Sequence, residues 1–129
     1  SLEGDLERVA KARGRSYSPD PNLEAGFFYR ADHFAFARLG VPAITIGPGL
    51  DKLDGGVEAG RALREKYFAD CYHQACDAWT PRWDPSGHAA DTLLVYDLGA
   101  ELANSRRWPT WEKESEFRGA RDKSEAARR

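Results

Sequence analysis

Methionine is absent from this chain of 129 residues, cysteine occurs twice and histidine three times. A chain without an initial methionine reads as a piece of a longer protein. The two cysteines, Cys71 and Cys76, are not spaced as a zinc-knuckle pair, and no second pair completes one. A disulfide across five residues is geometrically demanding, so the two are expected as free buried thiols. Two cysteines do not identify a redox compartment. An excess of one charge is lacking too. Lys and Arg number 19 against 21 Asp and Glu, a net charge of −2, which leaves no electrostatic footprint for nucleic acid. No apolar run approaches the roughly 20 residues of a membrane span. The opening Ser1-Leu2-Glu3-Gly4-Asp5 lacks the charged-then-apolar build of a signal peptide. There is no internal repeat and no low-complexity tract.

What is present is a globular composition, 41% hydrophobic and 31% charged, at a length that suits one domain with a modest core. The most informative stretch is Tyr72-His73-Gln74-Ala75-Cys76-Asp77-Ala78-Trp79. It has neither helical nor strand periodicity and reads as a shaped loop, the kind of segment that carries function. His73 is a candidate metal ligand, and Asp77 could orient it or a neighbour through a hydrogen bond. One His and one Asp do not make a metal site by themselves, and a surface loop with locally packed aromatics is the plain alternative.

Along the chain, Leu6, Val9 and Ala10 give helical spacing to Asp5–Ala12, with Gly14 placed to end it. Ser18-Pro19-Asp20-Pro21-Asn22 is turn chemistry. Phe27-Phe28-Tyr29 suits a buried strand or a pocket wall. Asp32–Leu39 reads as a second helix, Asp32 its N-cap and Gly40 its end. Val41–Ile46 is apolar on both faces, the pattern of an interior parallel strand, broken by Gly47-Pro48-Gly49. Loops at the carboxyl ends of such strands often line sites. Asp51–Gly56 reads as an exposed loop and residues 57–69 as partly helical. Trp79, Pro81, Trp83 and Pro85 forbid regular structure. Ser86 can cap a long helix over residues 87–105, with a stripe of Ala90, Leu94, Leu98 and Leu102 widened by Val95. Gly99 is expected at a close packing contact, Tyr96 in the core and His88 at the surface. Residues 109–129 form a charged, partly disordered tail after a domain of residues 1–108. Helix, strand, loop and helix in this order imply an α/β layer with too few strands to close a sheet.

Three groups of residues then resemble consecutive motifs of the M28 family of zinc aminopeptidases. They are Tyr29-Arg30-Ala31-Asp32-His33-Phe34-Ala35-Phe36-Ala37, then Leu39-Gly40-Val41-Pro42-Ala43, then Tyr72-His73-Gln74-Ala75-Cys76-Asp77. The tail Leu102-Ala103-Asn104-Ser105-Arg106-Arg107-Trp108-Pro109 is similar to one bacterial branch. The resemblance runs from Asp5 to about Asp122. It implies the C-terminal part of a three-layer α/β peptidase fold of the phosphorylase/hydrolase-like type. It implies a parent with two zinc ions, held by a His, a bridging Asp, a Glu, a second Asp and a final His, with a further Glu as general base. That parent hydrolyses peptide bonds beside a free N-terminus by metal-activated water. His73 matches the final His, and the other ligands and the base lie upstream of this chain in the family. Tyr72 matches a tyrosine that supports the oxyanion in some members. Asp32 and His33 match an Asp-His pair near the site that is not among the usual ligands. Ala31, Ala75 and Ala78 stand where the family commonly has Ser, Pro and an acidic residue.

The residues themselves leave Asp32 open between a helix cap and a group beside the site, and read His33 as a packed first-turn histidine. Asp77 is expected behind His73. With one firm ligand, the chain alone is expected to bind zinc weakly or not at all and to be inactive. The alternatives are a non-catalytic peptidase-like domain that serves protein association, and an α/β binding module with a chance likeness. The expected partners are a peptide substrate in the parent and, for this chain, a second copy of itself. The resemblance points to a periplasmic or secreted location.

Overall fold

The structure is a computed structural model and describes residues 1–128. Among these residues five α-helices form: α1 (Glu3–Ala12), α2 (Phe34–Ala37), α3 (Gly56–Asp70), α4 (Ser86–Asn104) and α5 (Arg118–Lys123). Short 3-10 turns cover Leu23–Ala25, Phe27–Arg30 and Glu125–Arg128. The chain divides into two compact units. The first joins Ser1–Ile46 to Leu93–Arg129, and the second is Gly47–Thr92.

In the first unit, α1 buries the apolar stripe that its spacing specifies, Leu6, Val9 and Ala10. Acidic Glu3 and Asp5 sit in its first turn and Lys11 in its last, the order that complements a helix dipole. Beyond the helix, the Gly14 N–H donates to the Lys11 carbonyl at 3.0 Å, with φ of +69°. The α1 stripe packs with Leu94 and Leu98 of α4, and Tyr17, Ile44, Ile46 and Leu102 close the edges. Ion pairs rim this cluster: Arg8 with Glu101 at 2.7 Å, Arg13 with Asp97, and Asp5 with Arg107 at 2.8 Å. A second cluster forms around Ala37, Trp111 and Phe117, with Phe28, Phe34 and Ala43 against it. Trp111 Nε1–H, buried here, donates to the Gly40 carbonyl at 3.1 Å.

The α/β three-layer fold expected from the sequence is not formed. Among the described residues there is no strand, and the one bridge, Lys52 with Gly56, stands alone. Residues 41–46 show why. Ile44 and Ile46 pack on the first cluster, and Ala43 packs on the second. The alternation is that of an interior strand, but a strand exists only as a ladder, and among the described residues no second extended segment pairs with it. Phe27-Phe28-Tyr29 likewise forms a 3-10 turn rather than a strand, with Phe28 delivered to the second cluster.

The second helix shrinks to the single turn Phe34–Ala37, and its N-cap position falls on His33 with no side-chain cap. Gly40 does end this segment, its N–H donating to the Ala37 carbonyl at 2.8 Å.

In the second unit, α3 starts after Gly55, whose φ is +80°. Its one buried residue is Gly60, where a Cβ would lie 1.9 Å from the Leu50 carbonyl oxygen. The first residues of α4 follow Asp84, whose carboxylate accepts the Ser86 N–H and hydroxyl, each at 2.9 Å. The Ser86 hydroxyl is therefore a donor to Asp84 instead of a helix cap. Of the expected α4 stripe, Ala90 of this unit is exposed, while in the first unit Leu94 and Leu98 are buried, Leu102 is half-buried and Val95 is exposed. Tyr96 is 69% exposed and is not core. Gly99 faces open space, with nothing within 4 Å of a Cβ built there.

Candidate functional site

The loop that follows α3 is shaped by how the helix ends. The backbone N–H groups of Cys71 and Tyr72 both donate to the Tyr67 carbonyl at 2.9 Å, which turns the chain sharply out of the helix. The Gln74 N–H then donates to the Cys71 carbonyl at 2.8 Å, closing a four-residue turn. His73, third in that turn, has φ of +59°. A positive φ at this turn position ordinarily selects Gly or Asn. A second turn follows, with the Asp77 N–H donating to the Gln74 carbonyl at 2.9 Å.

Cys71 and Cys76 are joined by a disulfide, with their Cα atoms 5.3 Å apart. This corrects the expectation of free thiols. The double turn brings the two Cα atoms within the ordinary disulfide range, which sequence separation alone does not reveal. The Cys76 sulfur also lies 3.3 Å from the Asp70 carbonyl oxygen.

Inside the loop the Tyr72 and His73 rings stack, with centroids 3.9 Å apart and planes 21° from parallel. Phe68 and Tyr67 of α3 flank Tyr72, at 4.6 Å and 5.8 Å between centroids. Tyr72 is half-buried and His73 exposed. The partner of Asp77 is Tyr67. Asp77 accepts the Tyr67 hydroxyl at 2.9 Å, and that hydrogen bond, with some burial, pushes the Tyr67 phenol above its ordinary pKa. Tyr67 is a member of this site that sequence reasoning missed. Its signal was its place at the end of α3, beside the loop, where it reads equally well as one more apolar helix position.

Asp32 and His33 belong to the first unit, whereas Tyr72, His73 and Asp77 belong to the second. His33 is half-buried and meets the Phe28 ring edge-on at 4.6 Å. Its Nε2 lies 3.2 Å from Thr45 Oγ1. Its backbone carbonyl accepts the Phe36 and Ala37 N–H groups. Asp32 is exposed and contributes its carbonyl, not its carboxylate, to the first turn of α2. The Asp32 cap is thus corrected, because the helix starts two residues later than the apolar spacing suggested.

Among the described residues no group of three or more His, Cys, Asp or Glu is arranged to hold a metal ion. A zinc centre needs about three protein ligands per ion, so the residues present do not by themselves fit one. What the loop offers is an exposed imidazole at the C-terminal, electronegative end of a helix, a place that favours a cation. Beside it is a phenol free to donate a hydrogen bond. Among the described residues no helix is long and apolar enough to cross a membrane.

Residues 1–96 match the model of Peptidase family M28. No curated protein and no solved structure matches the chain. The matched span takes in Asp32 and His33, the disulfide-closed loop with Tyr72, His73 and Asp77, and the first half of α4. With about three quarters of its length matched, the chain belongs to peptidase family M28.

Proposed function

We propose that this chain supplies the final-histidine loop of a zinc-dependent aminopeptidase, with His73 as a metal ligand and Tyr72 as the donor to the oxyanion formed when a peptide carbonyl is attacked. The observation that carries this reading is the state of the two side chains. Among the described residues neither ring nitrogen of His73 and no atom of the Tyr72 hydroxyl has a hydrogen-bond partner within the chain, while the rings hold each other in one arrangement. Ligand and donor groups must be available in this way, since a group already satisfied internally gains little by meeting a metal or a substrate. The remaining ligands and the general base come from outside this chain, which alone is inactive. The disulfide supports a periplasmic or secreted location, because such bonds persist where the surroundings are oxidising.

Calorimetric titration of the chain with zinc tests the metal reading. Stoichiometric sub-micromolar binding would contradict it, since one ligand leaves the ion mostly hydrated. In the full-length protein, His73→Ala is expected to remove most activity and leave the fold intact, and Tyr72→Phe to lower kcat about 100-fold with little change in KM. Near-normal turnover in the His73 variant would reassign the loop. A second reading, a non-catalytic association domain of the same family, draws on the large apolar side chains left exposed, Trp79, Trp83 and Tyr96 among them. Full-length protein that binds no zinc and hydrolyses no aminoacyl substrate would favour it.

A further inference from the structure

We infer that the Cys71–Cys76 disulfide is the positioning element of the Tyr72–His73 pair, so that the pair is assembled only while the disulfide is closed. This rests on the function proposed above for its bearing on catalysis, but not for its geometry. His73 is the one non-glycine residue with a positive φ among the described residues. Steric conflict between Cβ and the backbone disfavours that conformation for histidine, and it persists only where its surroundings over-determine it. The other contacts tie Tyr72 and Asp77 to α3, through the Phe68 and Tyr67 rings and the Tyr67 hydroxyl, but none of them reaches His73 itself. Two backbone hydrogen bonds, from Gln74 to Cys71 and from Asp77 to Gln74, lie in a segment open to water, where each contributes little net stability. The ring stack is a consequence of the backbone shape as much as a cause. The disulfide spans the whole turn, and it fastens the turn to Cys71, the residue whose N–H closes the end of α3 on the Tyr67 carbonyl.

An external dithiol would open the clasp. Its thiolate attacks the sulfur of Cys76, the more exposed of the two cysteines, forming a mixed disulfide and expelling the Cys71 thiolate, which takes up a proton. The second thiolate of the reductant then attacks its own sulfur in the mixed disulfide. This releases Cys76, which is protonated, and leaves the reductant as a cyclic disulfide, so two electrons and two protons have passed to the cysteines. In the closed bond the Cys76 sulfur has no proton to donate.

Nuclear magnetic resonance of the isotopically labelled chain, without metal or substrate, decides the matter. In the oxidised chain the His73 ring protons are expected upfield of their random-coil position, with cross-relaxation between the His73 and Tyr72 rings. After reduction with dithiothreitol and alkylation, and equally in the Cys71→Ser/Cys76→Ser variant, both signatures are expected to vanish while the amides of α3 keep their positions. Reoxidation of the unalkylated chain restores them. Survival of the inter-ring signal in the reduced chain overturns the inference. So does its absence from the oxidised chain. Melting of α3 on reduction overturns it as well, since the bond would then hold the helix rather than the pair. A persistent stack beside an inactive His73→Ala parent refutes this inference alone, and the reverse pattern refutes the peptidase reading alone.

Discussion

Replacing Gly40 by alanine tests whether the C-terminal segment is seated as the structure has it. Gly40 has φ of +83°, and its carbonyl accepts the buried Trp111 indole N–H. A Cβ added there would lie 2.4 Å from the Arg121 nitrogen, 2.6 Å from the Ala120 carbonyl carbon and 2.7 Å from the Arg121 Cα. All three are backbone atoms of α5, so no side chain can rotate out of the way. Holding alanine in a left-handed conformation costs about 1–2 kcal/mol. Carbon contacts are comfortable at about 3.5–4.0 Å, so α5 must withdraw by about 1 Å, and overpacking of this kind costs about 1–3 kcal/mol. The sum, about 2–5 kcal/mol, is a large share of the roughly 5–15 kcal/mol that stabilises a typical domain. Urea unfolding followed by circular dichroism should show a lower midpoint with a near-constant slope. Trypsin should cut sooner at Arg118, Arg121 and Lys123, the basic residues of the displaced helix. Unfolding free energy within about 0.5 kcal/mol of the parent chain, with unchanged cleavage, would mean that α5 does not rest on Gly40.

Gly99→Ala is expected to act in the opposite direction, since the position is helical and open. A gain of about 0.5–1 kcal/mol in the same unfolding assay is the expected outcome, and a loss would reveal a neighbour packed on that face. Burial works against the charge of Asp5, yet hydrogen bonds from Arg107 and Arg8, with their charges, outweigh it and hold the carboxyl below its ordinary range. The stabilisation from Asp5 is therefore complete above its unfolded-state pKa and fades as pH falls through the lowered folded-state value. Asp5→Asn should cost about 1 kcal/mol at neutral pH, and its unfolding curve should converge with that of the parent chain in acid; a difference independent of pH would refute the pairing. We also propose that the chain self-associates. Phe36 and Leu39 of the first unit are 60% and 72% exposed, and the backbone of residues 43–46 lacks a ladder partner. Sedimentation showing a compact monomer at low micromolar concentration, with residues 41–46 protected from hydrogen exchange, would contradict this.

Three of the helices were legible in the sequence because each carries its own periodicity. Leu6, Val9 and Ala10 mark α1, Leu94 and Leu98 mark α4, and residues 57–69 read as partly helical where α3 forms. The apolar character of residues 41–46 on both faces was legible too, since it is a local property. Strand formation was not, because a ladder depends on a partner that periodicity does not supply. Tyr96 shows a related limit: a helix stripe identifies the apolar positions, but what covers them is decided elsewhere in the structure. At the site, residue type made His73 a candidate ligand, and Tyr72 entered as a candidate through the family resemblance. The pairing of Cys71 with Cys76 and of Asp77 with Tyr67 goes with the φ of one residue, His73, in the left-handed region. A histidine carries no signal for that conformation, as a glycine would have.

The first unit is assembled from the two ends of the chain, with the second unit inserted between them. On the ribosome, α1 emerges long before Leu94 and Leu98 exist to cover Leu6 and Val9. At about 5–20 residues per second the intervening stretch takes several seconds to synthesise. Throughout that interval the apolar face of α1 is open to chaperones and to neighbouring nascent chains. The second unit, contiguous in sequence, can meanwhile close its own turns, with its disulfide following once the chain meets oxidising surroundings. Assembly is therefore ordered, with the turns of the second unit available early and the core of the first unit only after α4 is complete, and a stall in translation before α4 would leave a chain still without that core.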